Sequence, residues 1–204
     1  LESRRYIGNK AKLTRWIMDI INEHTGGFSS FFDVFAGTAS VSKAAIPYVD
    51  KIIMNDFLSS NNIIYQAFFA EGIYDMNKLY SIIEYYNSIN PDSVKDNYFS
   101  DNFGDKFFDY RNSKLIGYIR EDIERKRYEL TPKEYAILLA SLIYSIDKIA
   151  NTVGHFDAYI KKEIVYHPLS LQLIKPLEPK MVEIHKEDSN VLARGITADV
   201  AYID

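Results

Sequence analysis

The stretch Phe31-Phe32-Asp33-Val34-Phe35-Ala36-Gly37-Thr38-Ala39-Ser40-Val41-Ser42 decides the fold of this chain. Apolar and aromatic residues lead to one acid, a turn containing Gly37 follows, and the residues after the turn are compatible with a helix. This order predicts a buried strand from Phe31 to Phe35 that is followed by a helix from Thr38 to Ile46. Gly37 would allow the backbone of the turn to approach a ligand closely.

The next apolar run, Ile52 to Asp56, predicts a second strand and ends in an acid 19 residues after Gly37 (56 − 37). An acid about 20 residues after such a glycine turn commonly binds the ribose of a nucleotide. We therefore expect Asp56 to bind a ribose, with Phe57 directly after it. The strand–helix–strand order indicates a parallel sheet with helices on its faces.

Sheet character returns near the end of the chain, at residues 181–185 and 200–204. Each of the four predicted strands ends at or near an acid: Asp33, Asp56, Asp188 and Asp204. Any one of these acids could be a turn residue or a helix cap. Because the carboxyl ends of parallel strands share one edge, four such acids predict a single ligand site there.

Composition limits the class of protein. The chain has 204 residues, 47% of them hydrophobic and 25% charged, which fits one globular domain or one domain interrupted by another. It has no cysteine, so disulfides and thiolate metal sites are excluded. No apolar run reaches the roughly 20 residues of a membrane span, and no signal peptide is evident, which favours a cytoplasmic setting. The net charge of −4 means that any contact with nucleic acid requires local basic patches.

The middle of the chain is predicted to be mostly helical. Thr131-Pro132-Lys133-Glu134 is a capping box with proline at the first helical position, and it predicts the start of a buried helix. We therefore expect a sheet domain from residues 1–58 and 178–204, interrupted by a helical domain from residues 59–177. An insertion of this size is not needed to fold the sheet, so we interpret it as a recognition module.

Two groups of residues in the insertion are candidates for contact with DNA. The first consists of the helix cations Arg111, Lys114, Arg125, Lys126 and Arg127, for which a solvated helix face is an equally good explanation. The second consists of Lys148 and of polar residues in the segment 151–162, which has the chemistry to contact base edges from a β-hairpin: Asn151, Thr152, His155 and Lys161. A single histidine such as His155 is more often structural, and partners for a metal site are not evident.

The motifs together resemble the Dam-type adenine-specific DNA methyltransferases, including those of restriction–modification systems. The matching pieces are Arg5-Tyr6-Ile7-Gly8-Asn9-Lys10, Phe32-Asp33-Val34-Phe35-Ala36-Gly37-Thr38-Ala39, Asn55-Asp56, His185-Lys186-Glu187-Asp188 and Ala201-Tyr202-Ile203-Asp204. The last of these resembles the strand that enters the family's Asp-Pro-Pro-Tyr motif. The family often has a second glycine where this chain has Ala39, but alanine is also common there.

The resemblance implies an α/β fold, specifically an incomplete Rossmann-like parallel sheet of the S-adenosylmethionine-dependent methyltransferases, with a helical target-recognition insertion. It implies methyl transfer from S-adenosylmethionine to the exocyclic amino group of adenine in duplex DNA, with Asp204 as catalytic residue and no metal. The residues implied to bind the cofactor are Tyr6, Gly8, Lys10, Asp33, Phe35, Gly37, Thr38, Asp56, Phe57, Asp188 and Ser189.

The main departure from the family is that nothing follows Asp204. We therefore expect a fragment that binds the cofactor weakly, if at all, and does not methylate DNA. Alternatives are a methyltransferase that acts on RNA or a small molecule, and a non-catalytic DNA-binding or regulatory remnant. A nicotinamide dehydrogenase is disfavoured because the Gly-x-Gly-x-x-Gly fingerprint is absent. The sequence gives no indication of the oligomeric state.

Overall fold

The computed structural model describes residues 10–153, 156–161, 164–177 and 179–204. The described residues form two compact units, one from residues 10–71 and 175–204 and the other from residues 72–174. The boundaries expected from the sequence, 58/59 and 177/178, lie 13 and 3 residues away from these divisions (71 − 58 and 177 − 174). The difference arises because the first helix after Asp56 groups with the sheet.

The first unit is built on a parallel sheet of four strands, which confirms the predicted α/β class. The strands are β1 (Ser30–Asp33), β2 (Lys51–Asn55), β3 (Met181–His185) and β4 (Val200–Tyr202), and their order across the sheet is β3-β2-β1-β4. Phe31 pairs with Ile52 in β2 and with Val200 in β4. All neighbouring strands are parallel, so their carboxyl ends lie at one edge.

The helices of the first unit follow the predicted order. They are α1 (Thr14–Thr25), α2 (Ser40–Ala45), α3 (Ser59–Phe68) and α8 (Ser189–Leu192). The glycine pair Gly26-Gly27 predicts the end of a helix, and this is confirmed for α1, since Gly26 has a φ of 67° and donates its N–H to the Asn22 carbonyl. The serines at 59 and 60 come just before an apolar helical stripe and predict that one of them caps α3. This prediction is wrong, because the capping position is Leu58 and no side chain bonds there. Ser59 Oγ instead accepts from the Lys186 ammonium at 2.7 Å.

The second unit is helical and consists mainly of α4 (Met76–Ser88), α5 (Tyr98–Phe103), α6 (Tyr110–Arg125) and α7 (Pro132–Ile149). The predicted capping box is confirmed: Thr131 Oγ1 accepts from the Glu134 N–H at 3.1 Å, and Glu134 Oε2 accepts from the Thr131 N–H at 2.9 Å. Of the helices that are described, none is long and apolar enough to cross a membrane.

Candidate active site

The turn after β1 is held by its neighbours on both sides. Gly37 has a φ of 51°, in the left-handed region that glycine favours. Its N–H donates to Asp56 Oδ2 at 3.0 Å, and its carbonyl accepts from the Tyr65 hydroxyl at 2.6 Å. Ala39 also has a positive φ, 59°, which costs about 1–2 kcal/mol for a residue with a side chain. The turn is therefore fixed in a conformation that its sequence alone does not favour.

Asp56 lies at the open end of β2. Its Oδ2 atom accepts from Gly37, and its Oδ1 atom accepts from the Leu58 N–H at 2.8 Å. Phe57, the next residue, has 74% of its surface exposed. The structure thus brings the predicted ribose-binding acid, the glycine turn and an exposed aromatic ring together at the carboxyl edge of the sheet.

Asp33 occupies the same edge but is enclosed. Only 1% of its surface is exposed, and its Oδ2 atom accepts from the Ser42 hydroxyl at 2.5 Å. Burial raises the pKa of the Asp33 carboxyl to about 6, and the nearby charges of Asp204 and Asp56 add to this effect. Phe35, a predicted cofactor contact two residues after Asp33, is 51% exposed. The turn after β1 is therefore open to solvent, whereas the acid at the end of the strand is not.

The predicted residues after β3 have local partners. Asp188 caps α8, with its Oδ1 atom accepting from the Asn190 N–H at 2.8 Å, which is the helix-cap role that any one of these acids could have. Ser189 Oγ accepts from Asn55 Nδ2 at 3.0 Å and donates to the Val34 carbonyl at 3.3 Å. Both residues lie at the carboxyl edge of the sheet, and their contact with a cofactor stays a prediction.

Asp204, the predicted catalytic acid, lies two residues after the end of β4. Its Oδ2 atom is 2.6 Å from the Lys10 ammonium, so two residues at opposite ends of the chain form an ion pair. The hydrogen bond to Asp204 raises the pKa of Lys10. The predicted residues Tyr6 and Gly8 lie outside the described residues.

Most of the predicted DNA-binding cations have acidic or aromatic partners within the helical unit. Arg125 and Lys126 both pair with Asp122, at 3.2 and 2.5 Å, and Arg127 pairs with Glu124 at 3.2 Å. The remaining contacts can be listed together: Arg111 pairs with Asp92 and lies over the Tyr166 ring, Lys114 lies over the Tyr110 ring, and Lys148 donates to Gln172. The positive charge at the end of α6 is therefore largely balanced locally.

Of the segment 151–162, the structure describes residues 151–153 and 156–161. Thr152 pairs with Tyr159 in an antiparallel bridge, and the Asn151 side chain donates to the carbonyls of Lys106 and Ile160 at 2.8 and 2.9 Å. Asn151 thus uses both amide protons to hold its own strand segment against Lys106 and Ile160. Lys161 is exposed, and His155 lies outside the described residues.

Three buried side chains that hold the site were not predicted as site residues: Ser42, Asn55 and Tyr65. Asn55 directly precedes Asp56 at the end of an apolar run, and a polar residue there is the one available signal. Ser42 and Tyr65 lie on helices at positions that also suit ordinary core packing. Within the described residues, no group of three histidine or acidic side chains is arranged to hold a metal ion.

Comparison with known proteins identifies the family. Residues 6–204 match the family described as D12 class N6 adenine-specific DNA methyltransferase. The chain is 30% identical to Type II methyltransferase M.CviAII of Paramecium bursaria Chlorella virus 1, over 98% of this chain and 62% of that protein. It is 29% identical both to Type II methyltransferase M.NlaIII of Neisseria lactamica and to Modification methylase LlaI of Lactococcus lactis subsp. lactis. These matches cover 98% of this chain, but 63% and 35% of those proteins.

The chain thus spans about three fifths of the length of two of these relatives and about a third of the other. No solved structure matches it at a significant level. The family match covers nearly all of the sequence, including every strand of the sheet and the glycine turn. This chain belongs to the D12 class of N6 adenine-specific DNA methyltransferases.

Proposed function

We propose that this chain provides the methyl-donor site and the target-recognition unit of an enzyme that methylates the exocyclic amino group of adenine in duplex DNA. The methyl donor is S-adenosylmethionine. The observation that carries the proposal is the contact between Asp56 and the Gly37 turn at the carboxyl edge of the sheet, in a chain that belongs to this family.

The residues at this edge fit the nucleoside part of the donor. Each carboxylate oxygen of Asp56 accepts one backbone N–H and has a further lone pair, so the two oxygens can accept the two ribose hydroxyls. The exposed Phe57 ring offers an apolar face for adenine. In this proposal Asp188 and Ser189 border the adenine on the other side.

The turn residues serve the methionine end of the donor. Phe35, Gly37 and Thr38 form the wall of the site, and the largely ionised Asp33 beneath them attracts the ammonium group. Lys10 is proposed to close the site from the amino-terminal side, and Tyr6 and Gly8 are further proposed contacts of the donor.

Asp204 acts on the target base. When bound, S-adenosylmethionine would supply an electrophilic methyl group, which the adenine nitrogen would take in exchange for one of its protons. The Asp204 carboxylate accepts an N–H of the target amine, which localises the nitrogen lone pair and orients it towards the methyl group. Alignment of this kind is worth about 7–11 kcal/mol at best. The ion pair with Lys10 holds the Asp204 carboxylate in place for this role.

The helical unit is the proposed DNA-binding module. Asn151, Thr152, His155 and Lys161 are proposed to supply the principal contacts, because the cations at the end of α6 are paired with Asp122 and Glu124. Arg111, Lys114 and Lys148 add weaker contacts with phosphates from their exposed sides. The names of the similar proteins support a role in DNA modification beside a restriction enzyme.

Equilibrium dialysis with radiolabelled S-adenosylmethionine, with NADH as competitor, tests the donor site. We expect saturable binding of S-adenosylmethionine that NADH does not displace. Binding of NADH in its place, or of duplex DNA alone, would contradict the proposal. A second titration with fluorescent duplex DNA and with duplex RNA of the same sequence distinguishes the nucleic-acid substrate.

A further inference from the structure

Asn55, the last residue of β2, is a buried amide beneath the proposed donor site. Only 1% of its surface is exposed, so it does not reach a ligand at the edge of the sheet. Its backbone carbonyl accepts from the Ala36 N–H at 2.9 Å, which links it to the glycine turn. A buried polar side chain destabilises the folded state unless it is fully hydrogen-bonded, so the partners of the Asn55 amide indicate its role.

The Asn55 side chain bonds to the segments that follow both neighbouring strands. Its Oδ1 atom accepts from the Glu187 N–H at 3.0 Å, and its Nδ2 atom donates to the Glu187 carbonyl at 3.1 Å. Nδ2 also lies 3.3 Å from the Val34 carbonyl and 3.0 Å from Ser189 Oγ. The regular pairing of β2 with β3 ends at Asn55 and His185, and the amide extends that pairing by two residues.

We propose that Asn55 is a positioning residue that sets the distance between the segments carrying Gly37, Asp56 and Asp188. This inference rests on the proposed donor site. Asn55 joins the ends of β1, β2 and β3 without touching the donor, so its loss displaces the residues on both sides of the nucleoside. The displaced carboxylate and loop then bind the donor less tightly.

An amide is required because this position must both donate and accept. A carboxylate of the same shape in Asn55→Asp would place an ionised oxygen against the carbonyls of Val34 and Glu187. Repulsion and burial would raise the pKa of the new carboxyl. Once protonated, the new side chain would again donate one hydrogen bond. The affinity of this variant for the donor is therefore expected to depend on pH in a way that the wild type does not.

The test compares the donor affinity of Asn55→Asp with that of the wild type between pH 5 and pH 8. We expect the variant to bind about tenfold or more weakly at pH 8, the loss expected for unsatisfied buried groups, and to approach the wild type at pH 5. The control is Asn190→Asp, which adds the same charge on an exposed side chain of the neighbouring helix α8 and is expected to show no such recovery.

Other titratable groups surround this position: Asp33 after β1, Asp56 after β2, and His185, Glu187 and Asp188 in and after β3. These groups are present in the wild type, in Asn55→Asp and in Asn190→Asp, so the ratio of variant to wild-type affinity removes their contribution to the pH dependence. Near-ultraviolet circular dichroism at each pH gives the folded fraction, and affinity is expressed per folded molecule. Equal affinity of Asn55→Asp and wild type at pH 8 would overturn the inference, whereas failure of the wild type to bind the donor would overturn the proposed function instead.

A measurement on the wild type decides the matter if Asn55→Asp does not fold. The side-chain amide protons of Asn55 are expected to exchange with solvent far more slowly than those of Asn190, and addition of S-adenosylmethionine should slow the exchange of the Glu187 N–H further. Fast exchange at Asn55, or no change at Glu187 when the donor is bound, would show that the amide does not hold the site.

Discussion

Asp33 provides a test in which stability and function are expected to change in opposite directions. The carboxyl group is 1% exposed, and burial raises its pKa from 3.8 to about 6. Since 1.36 kcal/mol corresponds to one pKa unit, the ionised form costs the folded state about 3 kcal/mol. The amide that Asp33→Asn introduces is uncharged and can still accept from the Ser42 hydroxyl.

The sign of the pH effect follows from the raised pKa. The folded state binds the proton more tightly than the unfolded state, so the penalty is absent below pH 3.8, grows up to about pH 6 and is complete above it. We therefore expect Asp33→Asn to increase the free energy of unfolding by up to about 3 kcal/mol at pH 7.5, and to have little effect near pH 3.8.

Urea denaturation of wild type and variant near pH 3.8 and at pH 7.5 measures the change in the free energy of unfolding at each pH. Ser42→Ala is the control, because it removes the hydrogen bond that stabilises the ionised carboxylate and should destabilise the protein at pH 7.5. Donor affinity, measured on the same samples, should fall in Asp33→Asn because the charge that attracts the ammonium is lost. A variant that is destabilised at pH 7.5, or equally stabilised at both pH values, would refute this reasoning.

Three further predictions concern single residues. Asp56→Ala is expected to weaken donor binding more than tenfold in dialysis, because both ribose contacts and the Gly37 contact are lost, and unchanged affinity would remove Asp56 from the site. Gly117→Ala should cost about 1–3 kcal/mol in thermal unfolding, because its Cβ would lie 2.0 Å from Asn97 Oδ1; Gly195→Ala, with its nearest atom at 3.8 Å, is the neutral control. Burial raises the pKa of Glu134, but its hydrogen bonds outweigh this effect and hold the pKa below 4.5. The stabilisation that the ionised Glu134 carboxylate gives the folded state is therefore present above pH 4.5 and lost as the pH falls further. Glu134→Gln should therefore cost about 2 kcal/mol in urea denaturation at pH 7 and progressively less below pH 4, and a constant difference would contradict this.

The strands and the glycine turn could be predicted from the sequence because their signals are local. The strand β3 was expected at residues 181–185 and lies at Met181–His185. The runs ending in Asp33 and Asp56 are apolar enough to identify β1 and β2 within two residues. Parallel pairing then places their ends at one edge regardless of the exact bounds.

Other features depend on tertiary contacts that the sequence does not show. The enclosure of Asp33 requires Ser42, nine residues later, to turn its hydroxyl inwards from α2. The partners of Asn55 lie as far away as Ser189, and no local pattern links those positions. The pairing of Asp122 with Lys126 is different, because it is a local i,i+4 spacing that the sequence does show and that a count of charges along the chain overlooks.

The most direct test of the donor site is a titration of the isotopically labelled protein with S-adenosylmethionine, followed by nuclear magnetic resonance, which also detects weak binding. We expect concentration-dependent shifts of the backbone amides of Gly37, Phe57 and Asp188 that follow one binding curve and disappear in Asp56→Ala. Shifts confined to other parts of a folded protein, or the same shifts in the Asp56 variant, would contradict the claim that the donor binds where these strands end.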